Sequence, residues 1–394
     1  MKMLHPIYFL ALGLFGVYTI EFGVVGILPV IIERFAISAS QAGLLVGLFA
    51  LIIAACGPVM VLLLSRFNRK KVLTLALFVF AGTSVLSAYA PNFESLMLLR
   101  IIPALFHPVY FSLAFVAATS LYPPGQSTNA AAKAFVGTSM GMVLGVPLTT
   151  LIAAQFSYEA SFLFCAAVNC IAGLGIIARL PDAPDRQAVS YGDQLAILRK
   201  FPLWLNITAS TLIFAAMFSV YSYSAEYLAR EAGMSAQLIS ILLVVFGVGG
   251  VAGNLYAGKL IGQNMVRTTI LHPILLAGAY GLLYLFAGPS LLTMLVIVVI
   301  WGATHTSGLI VTQIWLTSEA PEAPEFATGI YISFINLGVT IGSTTGGWFL
   351  ARLGLQGTLY SGLLFAALAL VVIVVKVLFF SVAPRKGGAT VAAD

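Results

Sequence analysis

The sequence predicts an all-α membrane protein with twelve transmembrane helices, arranged as two six-helix pseudo-repeat halves. The first observation is composition: 60% of the 394 residues are apolar and only 8% are charged, whereas about 25% of the residues of a soluble domain are charged. The second is a series of twelve long apolar runs, and the third is a glycine pattern that recurs 201 residues later. The composition excludes a water-soluble enzyme, a nucleic-acid binder and a disordered protein.

Each apolar run is long enough to cross a membrane. A bilayer core about 30 Å thick needs about 20 apolar residues in a helix. The predicted spans are 7–32, 41–64, 72–90, 95–121, 134–156, 160–180, 203–228, 238–258, 269–287, 291–316, 328–350 and 359–380. The first run has no small-residue cleavage site after it, so we interpret it as a retained helix and not as a signal peptide.

A charged segment divides the spans six and six. Residues 181–202 form the longest connection and carry six charged side chains. We therefore predict an N-terminal half at 1–180, a cytoplasmic linker at 181–202, a C-terminal half at 203–380 and a cytoplasmic tail at 381–394.

Basic residues are distributed unevenly between the two sides of the predicted membrane. With the N-terminus inside, fourteen Lys and Arg residues lie on the inner side and three on the outer side. This is the positive-inside asymmetry of inner-membrane proteins. It predicts that both termini are cytoplasmic, and it explains the net charge of +6 without a nucleic-acid partner.

The repeated glycines indicate an internal duplication. At an offset of 201 residues, three glycines of span 5 coincide with three of span 11: Gly137, Gly141 and Gly145 with Gly338, Gly342 and Gly346. Small residues at this spacing allow helices to approach closely, so we expect span 5 to slide on its neighbour as the halves rock. An arrangement of two parallel halves, with a binding site between them near the middle of the bilayer, is typical of a transporter.

Glu21 is an ionisable residue deep in span 1. It lies about 14 residues, or about 21 Å, into that span, close to the middle of the bilayer. An ionisable side chain there costs about 2.5–3.5 kcal/mol on insertion scales. We interpret Glu21 as a site for a proton or a cationic substrate, with a structural hydrogen bond as the alternative.

Span 4 contains an arginine and a histidine on one face. Arg100 and His107 are seven residues apart, which is two helical turns and about 10 Å. A guanidinium in lipid requires a partner or water, and a histidine can carry a proton near neutral pH. Glu21, Arg100 and His107 are therefore the predicted proton-coupling residues, although His107 could instead be a hydrogen-bonded core residue.

Aromatic and polar side chains of spans 1, 4, 7 and 10 are predicted to line the cavity, because aromatic rings stack on planar solutes. Each could equally pack between helices, and the glutamate could lie at a solvated helix end. The candidates for substrate binding, including one asparagine in span 11, are Tyr18, Phe22, Phe106, Tyr110, Tyr221, Glu226, Trp301, His305 and Asn336.

No sequence motif for catalysis, metal binding or ATP binding is present. We therefore expect neither an enzyme nor a cofactor. Uphill transport would have to use an ion gradient or the membrane potential, and we expect the proton gradient to supply the energy.

Three motifs resemble the drug:proton antiporter group of the major facilitator superfamily. The stretch from Thr19 to Pro29 is similar to the helix 1 motif of that group, and Leu98-Leu99-Arg100 is similar to its helix 4 motif. The glycine series of span 5, which ends at Pro147, is similar to its antiporter motif. The resemblance implies the major facilitator fold, proton coupling through Glu21 and Arg100, and export in preference to uptake.

One loop departs from the superfamily pattern. The connection between spans 2 and 3 in that family reads Gly-x-x-x-Asp-Arg-x-Gly-Arg-Lys, whereas Val61, Ser65 and Asn68 replace the two glycines and the aspartate here. Arg66 and Arg69 remain. We therefore do not expect the family's charge lock at this loop, and the basic cluster could serve only to orient the chain.

These features together predict a monomeric transporter of the bacterial inner membrane. It would export small organic solutes such as drugs, sugars or purines and nucleosides in exchange for protons, by alternating access. An uptake symporter or a facilitator of the same fold is the alternative within transport. A membrane sensor or scaffold that transports nothing is the alternative of another class.

Overall fold

The computed structural model describes residues 5–37, 39–123, 126–182 and 190–380. Within these ranges the chain forms helices and turns, with no strand. The predicted all-α class is confirmed. The predicted tail at 381–394 lies outside the described residues.

Fifteen helices account for the described part of the chain. In order, they are α1 (Pro6–Gly26), α2 (Leu28–Phe35), α3 (Ala39–Leu64), α4 (Arg69–Ala88), α5 (Phe93–Ser120), α6 (Ser127–Gln155), α7 (Tyr158–Arg179), α8 (Tyr191–Ala196), α9 (Phe201–Tyr221), α10 (Ser224–Arg230), α11 (Ala236–Gln263), α12 (Met265–Phe286), α13 (Leu291–Thr317), α14 (Pro324–Leu353) and α15 (Gln356–Phe380).

The first span of each half is interrupted near its end. Span 1 divides into α1 and α2 at Ile27, and Pro29 occupies the first turn of α2, where its missing N–H needs no helical partner. Span 7 divides into α9 and α10 at Ser222 and Tyr223. The continuous helices predicted over 7–32 and 203–228 are therefore wrong in this detail, because apolar composition does not reveal a break between two apolar helices.

The protein is a multi-pass membrane protein. Ten of the described helices are long and apolar enough to cross a bilayer. Helix α6 bends by 47° between Gly145 and Pro147 and provides an eleventh span when its two parts are counted together. The apolar part of α3, Leu48–Leu64, is about 25 Å long. The count of twelve therefore stays a prediction.

The repeated glycines hold each half together. A Cβ atom on Gly141 would lie 2.8 Å from the carbonyl oxygen of Phe15 in α1. In the second half, a Cβ atom on Gly342 would lie 2.3 Å from the carbonyl oxygen of Ala215 in α9. Only glycine allows these backbones to approach so closely. The neighbour on which span 5 was expected to slide is therefore a helix of its own half.

Two helix pairs provide most of the contact between the two halves. In the first pair, α14 packs against α3, where Gly329 faces Val61 and the Ser333 hydroxyl donates a 3.2 Å hydrogen bond to the Ile53 carbonyl. In the second pair, α11 packs against α6, where the Asn254 side-chain amide donates a 3.3 Å bond to the Ala132 carbonyl. We call these two contacts the seam.

The two hydrogen bonds and the Gly329–Val61 contact lie toward one end of the bundle, whereas Gly247 of α11 faces Val143 of α6 nearer the middle. We define the basic end as the side that carries the α3–α4, α5–α6, α8–α9, α11–α12 and α13–α14 connections; it includes the basic cluster 66–71. In this conformation the halves are therefore joined at the basic end.

The glycine contacts predict a difference in stability between two kinds of Gly→Ala variant. Gly342→Ala would force a methyl group into the backbone of α9 and should lower the free energy of unfolding by about 1–3 kcal/mol. Thermal unfolding of the purified protein in detergent measures this change. Gly278→Ala is the matched control, since nothing lies within 4 Å of its Cβ position. An unfolding midpoint for Gly342→Ala equal to that of the control would contradict the assigned contact.

Candidate functional site

The centre of the N-terminal half contains a carboxylate and an imidazole in contact. Glu21 Oε2 of α1 lies 2.9 Å from His107 Nε2 of α5. Both residues are buried, with relative exposures of 6% and 1%. The two atoms are close but not aligned for a hydrogen bond, and neither has another hydrogen-bond partner. The pair thus joins α1 to α5 by contact, without a hydrogen bond between the two side chains.

Aromatic rings enclose this pair. Tyr18 meets the His107 ring edge to face at 5.0 Å, and Phe49 of α3 does the same at 6.1 Å. Separated charges are expensive in such apolar surroundings. The free energy of the site therefore depends strongly on whether Glu21 is charged.

Arg100 holds the backbone of α1 beside Glu21. Its guanidinium donates a 2.6 Å hydrogen bond to the carbonyl of Ile20 and a 3.2 Å bond to the carbonyl of Glu21. It also donates a 3.4 Å bond to the Leu45 carbonyl of α3 and stacks 4.5 Å over the Phe49 ring. The sequence analysis predicted that this cation needs a partner or water. Its partners are main-chain carbonyl groups. Arg100 is a positioning residue for Glu21.

A small cavity adjoins Arg100 between α1, α5, α6 and α7. Its volume is about 20 Å³, and its polar lining includes Thr19, Thr149 and Ser161. This is enough space for one water molecule. The site therefore has room to hydrate the guanidinium, whose Nε has no protein partner.

A second aromatic cluster surrounds His305 in the C-terminal half. The His305 ring lies 5.0 Å from Tyr221, 5.2 Å from Phe246 and 5.6 Å from Phe218. Both nitrogens of this buried imidazole are without a hydrogen-bond partner. Trp301 packs on Phe246 at 4.9 Å. We call these five residues the aromatic cluster.

The structure thus brings together three predicted residues, Tyr221, Trp301 and His305, and adds two that sequence reasoning missed. Phe246 lies in an apolar run with nothing to distinguish it. Phe218 could have been found by extending the repeat to spans 1 and 7.

The glycine contacts give the residue offset that extends the repeat to spans 1 and 7. Gly137 faces the carbonyl of Ala11, and its counterpart Gly338 faces the carbonyl of Thr211. The offset between α1 and α9 is therefore 200 residues, the difference between 211 and 11. Tyr18 then corresponds to Phe218 and Glu21 to Tyr221, while His305 follows His107 by 198 residues.

This correspondence exposes an asymmetry between the halves. Each half buries a histidine against the same position of its first helix, and that position is a carboxylate at Glu21 and a phenol at Tyr221. Of these two positions, only the one in the N-terminal half carries a carboxyl group.

The other aromatic candidates contribute to packing in this conformation. Phe22 stacks on Tyr18 at 6.1 Å, and Phe106 is half-buried against the main core. Tyr110 is fully buried between α5 and α1, and its hydroxyl donates a 3.2 Å hydrogen bond to the Leu10 carbonyl. Tyr110 therefore does not join either histidine site.

Two candidates remain, Asn336 and Glu226. The Asn336 amide donates a 2.9 Å hydrogen bond to the Ile332 carbonyl of its own helix. The side chain of Glu226 lies outside the described residues. Their proposed roles in substrate binding stay predictions.

An ion pair crosses between the halves at the basic end. Arg69, at the start of α4, places its Nη2 2.5 Å and its Nε 3.0 Å from Oε1 of Glu325, at the start of α14. The loop lacks the aspartate of the family pattern, so the expectation about the family's own charge lock stays a prediction. The substituted loop keeps one arginine in place, and the carboxylate comes from the other half, which a local motif cannot show.

The linker packs on the same loop. Arg66 lies 3.7 Å over the ring of Tyr191 in α8, and the Gln194 side-chain amide donates a 2.8 Å hydrogen bond to the Ser65 hydroxyl. The segment between the halves is thus attached to the basic end.

Acidic residues of the α13–α14 connection make further ion pairs there. Glu319 contacts Lys376 of α15 at 2.5 Å, and Glu322 contacts Lys200 at 2.5 Å. Partial burial opposes the charge on Glu322, but its hydrogen bond and attraction to Lys200 prevail and hold the pKa of Glu322 below its ordinary value. Within the described ranges, no group of three or more His, Cys, Asp or Glu side chains could hold a metal ion.

Known proteins similar to this chain are membrane transporters. Residues 10–322 match the family model described as Major Facilitator Superfamily, and residues 207–393 match it again. The inner membrane transport protein YdhP of Escherichia coli is 31% identical over 95% of this chain and 96% of its own length. A probable sugar efflux transporter of Mannheimia succiniciproducens is 27% identical over 95% and 94%. The crystal structure of the E. coli fucose:proton symporter FucP, at 17% identity, has a TM-score of 0.75 and covers 96% of this chain and 99% of its own.

The bonds of Arg100 predict that lysine cannot replace it. Arg100→Lys would lose the planar fork that donates to α1 and α3 together, and we expect the free energy of unfolding to fall by about 2 kcal/mol or more. Thermal unfolding in detergent measures this loss. Arg34→Lys is the control, because Arg34 makes a part-exposed ion pair with Glu159 that should contribute less than about 1 kcal/mol. Equal, small effects of both substitutions would show that the carbonyl bonds do not matter.

The Arg69–Glu325 pair predicts that Glu325→Gln loosens the basic end. Without the charge, the conformation joined at this end loses stability, so backbone amides of residues 65–72 and 324–330 should exchange their hydrogens faster. Hydrogen–deuterium exchange with mass spectrometry on protein in nanodiscs measures this. Glu159→Gln removes a comparable pair inside one half and should leave those segments unchanged. Unaltered exchange in Glu325→Gln would disprove the lock.

Proposed function

The chain belongs to the major facilitator superfamily, and from that premise we propose that it is a proton-coupled exporter of small organic solutes that works by alternating access. The observation that carries the proposal is the buried contact between Glu21 and His107. Of the two corresponding histidine sites, it is the one in which a carboxyl group meets the imidazole.

The coupling would work through the charge of Glu21. With the carboxylate ionised, its contact with His107 links α1 to α5 inside the N-terminal half. Protonation of Glu21 removes that attraction and makes burial of the site less costly. Because Arg100 fixes the backbone of Glu21 and Ile20, the change is transmitted to α1 as a whole. Proton binding would therefore shift the balance between the two orientations of the halves.

The aromatic cluster would receive the solute. Tyr221, Phe218 and Phe246 present ring faces, and His305 has two nitrogens that can bond to a ligand. Such a surface suits planar or ring-shaped solutes with polar substituents. In this arrangement the N-terminal half carries the proton and the C-terminal half carries most of the solute contacts.

The orientation in the membrane is proposed from the position of the basic residues. The positive-inside rule places the basic end in the cytoplasm, with both termini on that side and the protein in the inner membrane. The conformation described here would then be closed to the cytoplasm by the seam and by the Arg69–Glu325 pair. One chain contains both histidine sites, so the transporter would function as a monomer, driven by the proton gradient without a cofactor.

Export is proposed over uptake because of the span 5 motif and the relative named as a probable sugar efflux transporter. FucP, which shares the fold, is named as a symporter. Uptake by symport is therefore the alternative that the experiment must distinguish from export by antiport.

The proposal predicts that Glu21→Gln uncouples transport from protons. Purified protein is placed in liposomes that contain a pH-sensitive dye, and sugars, nucleosides, purines and lipophilic cations are offered in turn. A transported solute should drive proton movement in the opposite direction. Glu21→Gln should abolish this proton flux, because an amide cannot take up a proton in this range.

Glu33→Gln is the matched control, since Glu33 is an exposed carboxylate at the end of the same span and should leave coupling unchanged. Proton movement in the same direction as the solute would identify a symporter. Solute movement without proton flux, unaltered in Glu21→Gln, would identify a facilitator and disprove the coupling role of Glu21.

A further inference from the structure

A cavity of about 370 Å³ opens at the basic end, where the seam between α6 and α11 reaches the surface. Lys133 of α6 and Lys259 of α11 both line it. Lys133 belongs to the N-terminal half and Lys259 to the C-terminal half. Neither ammonium has a carboxylate partner within the described part of the chain, and the Lys133 ammonium lies 5.3 Å over the Tyr122 ring. Two uncompensated cations from different halves thus face one space.

The remaining lining is suited to hydrogen bonding with an anion. Gln126, Asn129 and Tyr122 also border the cavity, and their amide and hydroxyl groups can donate to phosphate oxygens. Among the described residues, no acidic side chain lines it. The combination of two ammonium groups and neutral donors selects an anion over a cation.

The depth of the lysines matches the phosphate layer of a membrane. Lys133 lies six residues after the start of α6 and Lys259 four residues before the end of α11, which is about 9 Å and 6 Å from the helix ends. These helices contain 29 and 28 residues and are about 42–44 Å long. They therefore extend beyond the hydrocarbon core, about 30 Å thick, into the headgroup region.

One lining residue of the cavity and the residue after it in α11 are exposed and largely apolar. Leu255 lines the cavity and is 37% exposed, and the neighbouring Tyr256 is 64% exposed. Acyl chains can pack on such a surface while a headgroup occupies the cavity. These exposed apolar residues favour a phospholipid as the source of the anion.

We propose that this cavity binds a phosphate group, supplied by an anionic phospholipid or by free phosphate, which bridges Lys133 and Lys259. Without the anion the two ammonium groups repel each other across the seam. With the anion bound, the same two groups hold the halves together close to the Asn254–Ala132 contact, since Lys133 follows Ala132 directly and Lys259 lies five residues after Asn254. The ligand therefore stabilises the conformation that is closed at the basic end, independently of the solute and proton sites.

Thermal unfolding of the full-length protein in detergent tests the site. Short-chain phosphatidylglycerol, sodium phosphate and short-chain phosphatidylcholine are titrated separately, because a ligand of the native state raises the unfolding midpoint. We expect phosphatidylglycerol to raise it. The Lys133→Gln/Lys259→Gln double variant should need about thirtyfold more of this lipid for the same shift, which corresponds to about 1 kcal/mol for each lysine.

Two further variants serve as controls. Lys71→Gln removes an exposed cation of the basic end away from the seam and should respond as the wild type does. Lys133→Arg/Lys259→Arg keeps both charges and should retain the response. If the double glutamine variant responds like the wild type, or if phosphatidylcholine gives the same shift as phosphatidylglycerol, the proposal is overturned. A shift with sodium phosphate supports the site and identifies free phosphate as a ligand; a shift with phosphatidylglycerol alone supports it and identifies the lipid.

Discussion

The burial of ionisable side chains in an apolar helix bundle is the constraint on which the rest of this structure depends. Glu21, Arg100 and His107 lie where no bulk water can solvate them, so each must be satisfied by another helix. Arg100 achieves this through the carbonyls of α1 and α3, and Glu21 lies in contact with His107 at 2.9 Å. The relative positions of α1, α3 and α5 are therefore set by the same polar contacts that give the site its chemistry.

The two halves share a scaffold and differ in the group that their buried histidines meet. Close glycine contacts reproduce the same packing of α6 on α1 and of α14 on α9, so the sites are built in the same way. The carboxylate of Glu21 faces His107, while Tyr221 and other rings face His305. The same helix framework thus places a carboxyl group at one of the two positions and a phenol at the other.

Contacts between the halves are of a different kind from those within them. Within each half, glycine allows backbones to interlock, and such packing changes little without unfolding. Between the halves, the basic end relies on side-chain hydrogen bonds, the Arg69–Glu325 pair and a cavity bordered by lysines of both halves. Charged contacts near the membrane surface can be broken and remade with modest changes in free energy, which is what a conformational cycle between rigid halves requires.

The sequence by itself determined the all-helical membrane fold, the order of the spans and the glycine repeat, because hydropathy and small-residue spacing are local properties. It also singled out Glu21, Arg100 and His107, since ionisable residues are rare in apolar runs. Only the tertiary structure decided that Glu21 meets His107, that Arg100 binds carbonyls in place of a carboxylate, and that Arg69 finds Glu325 256 residues away. These pairings depend on how helices rotate and pack against one another, and neither composition nor the spacing of residues within one helix specifies that rotation.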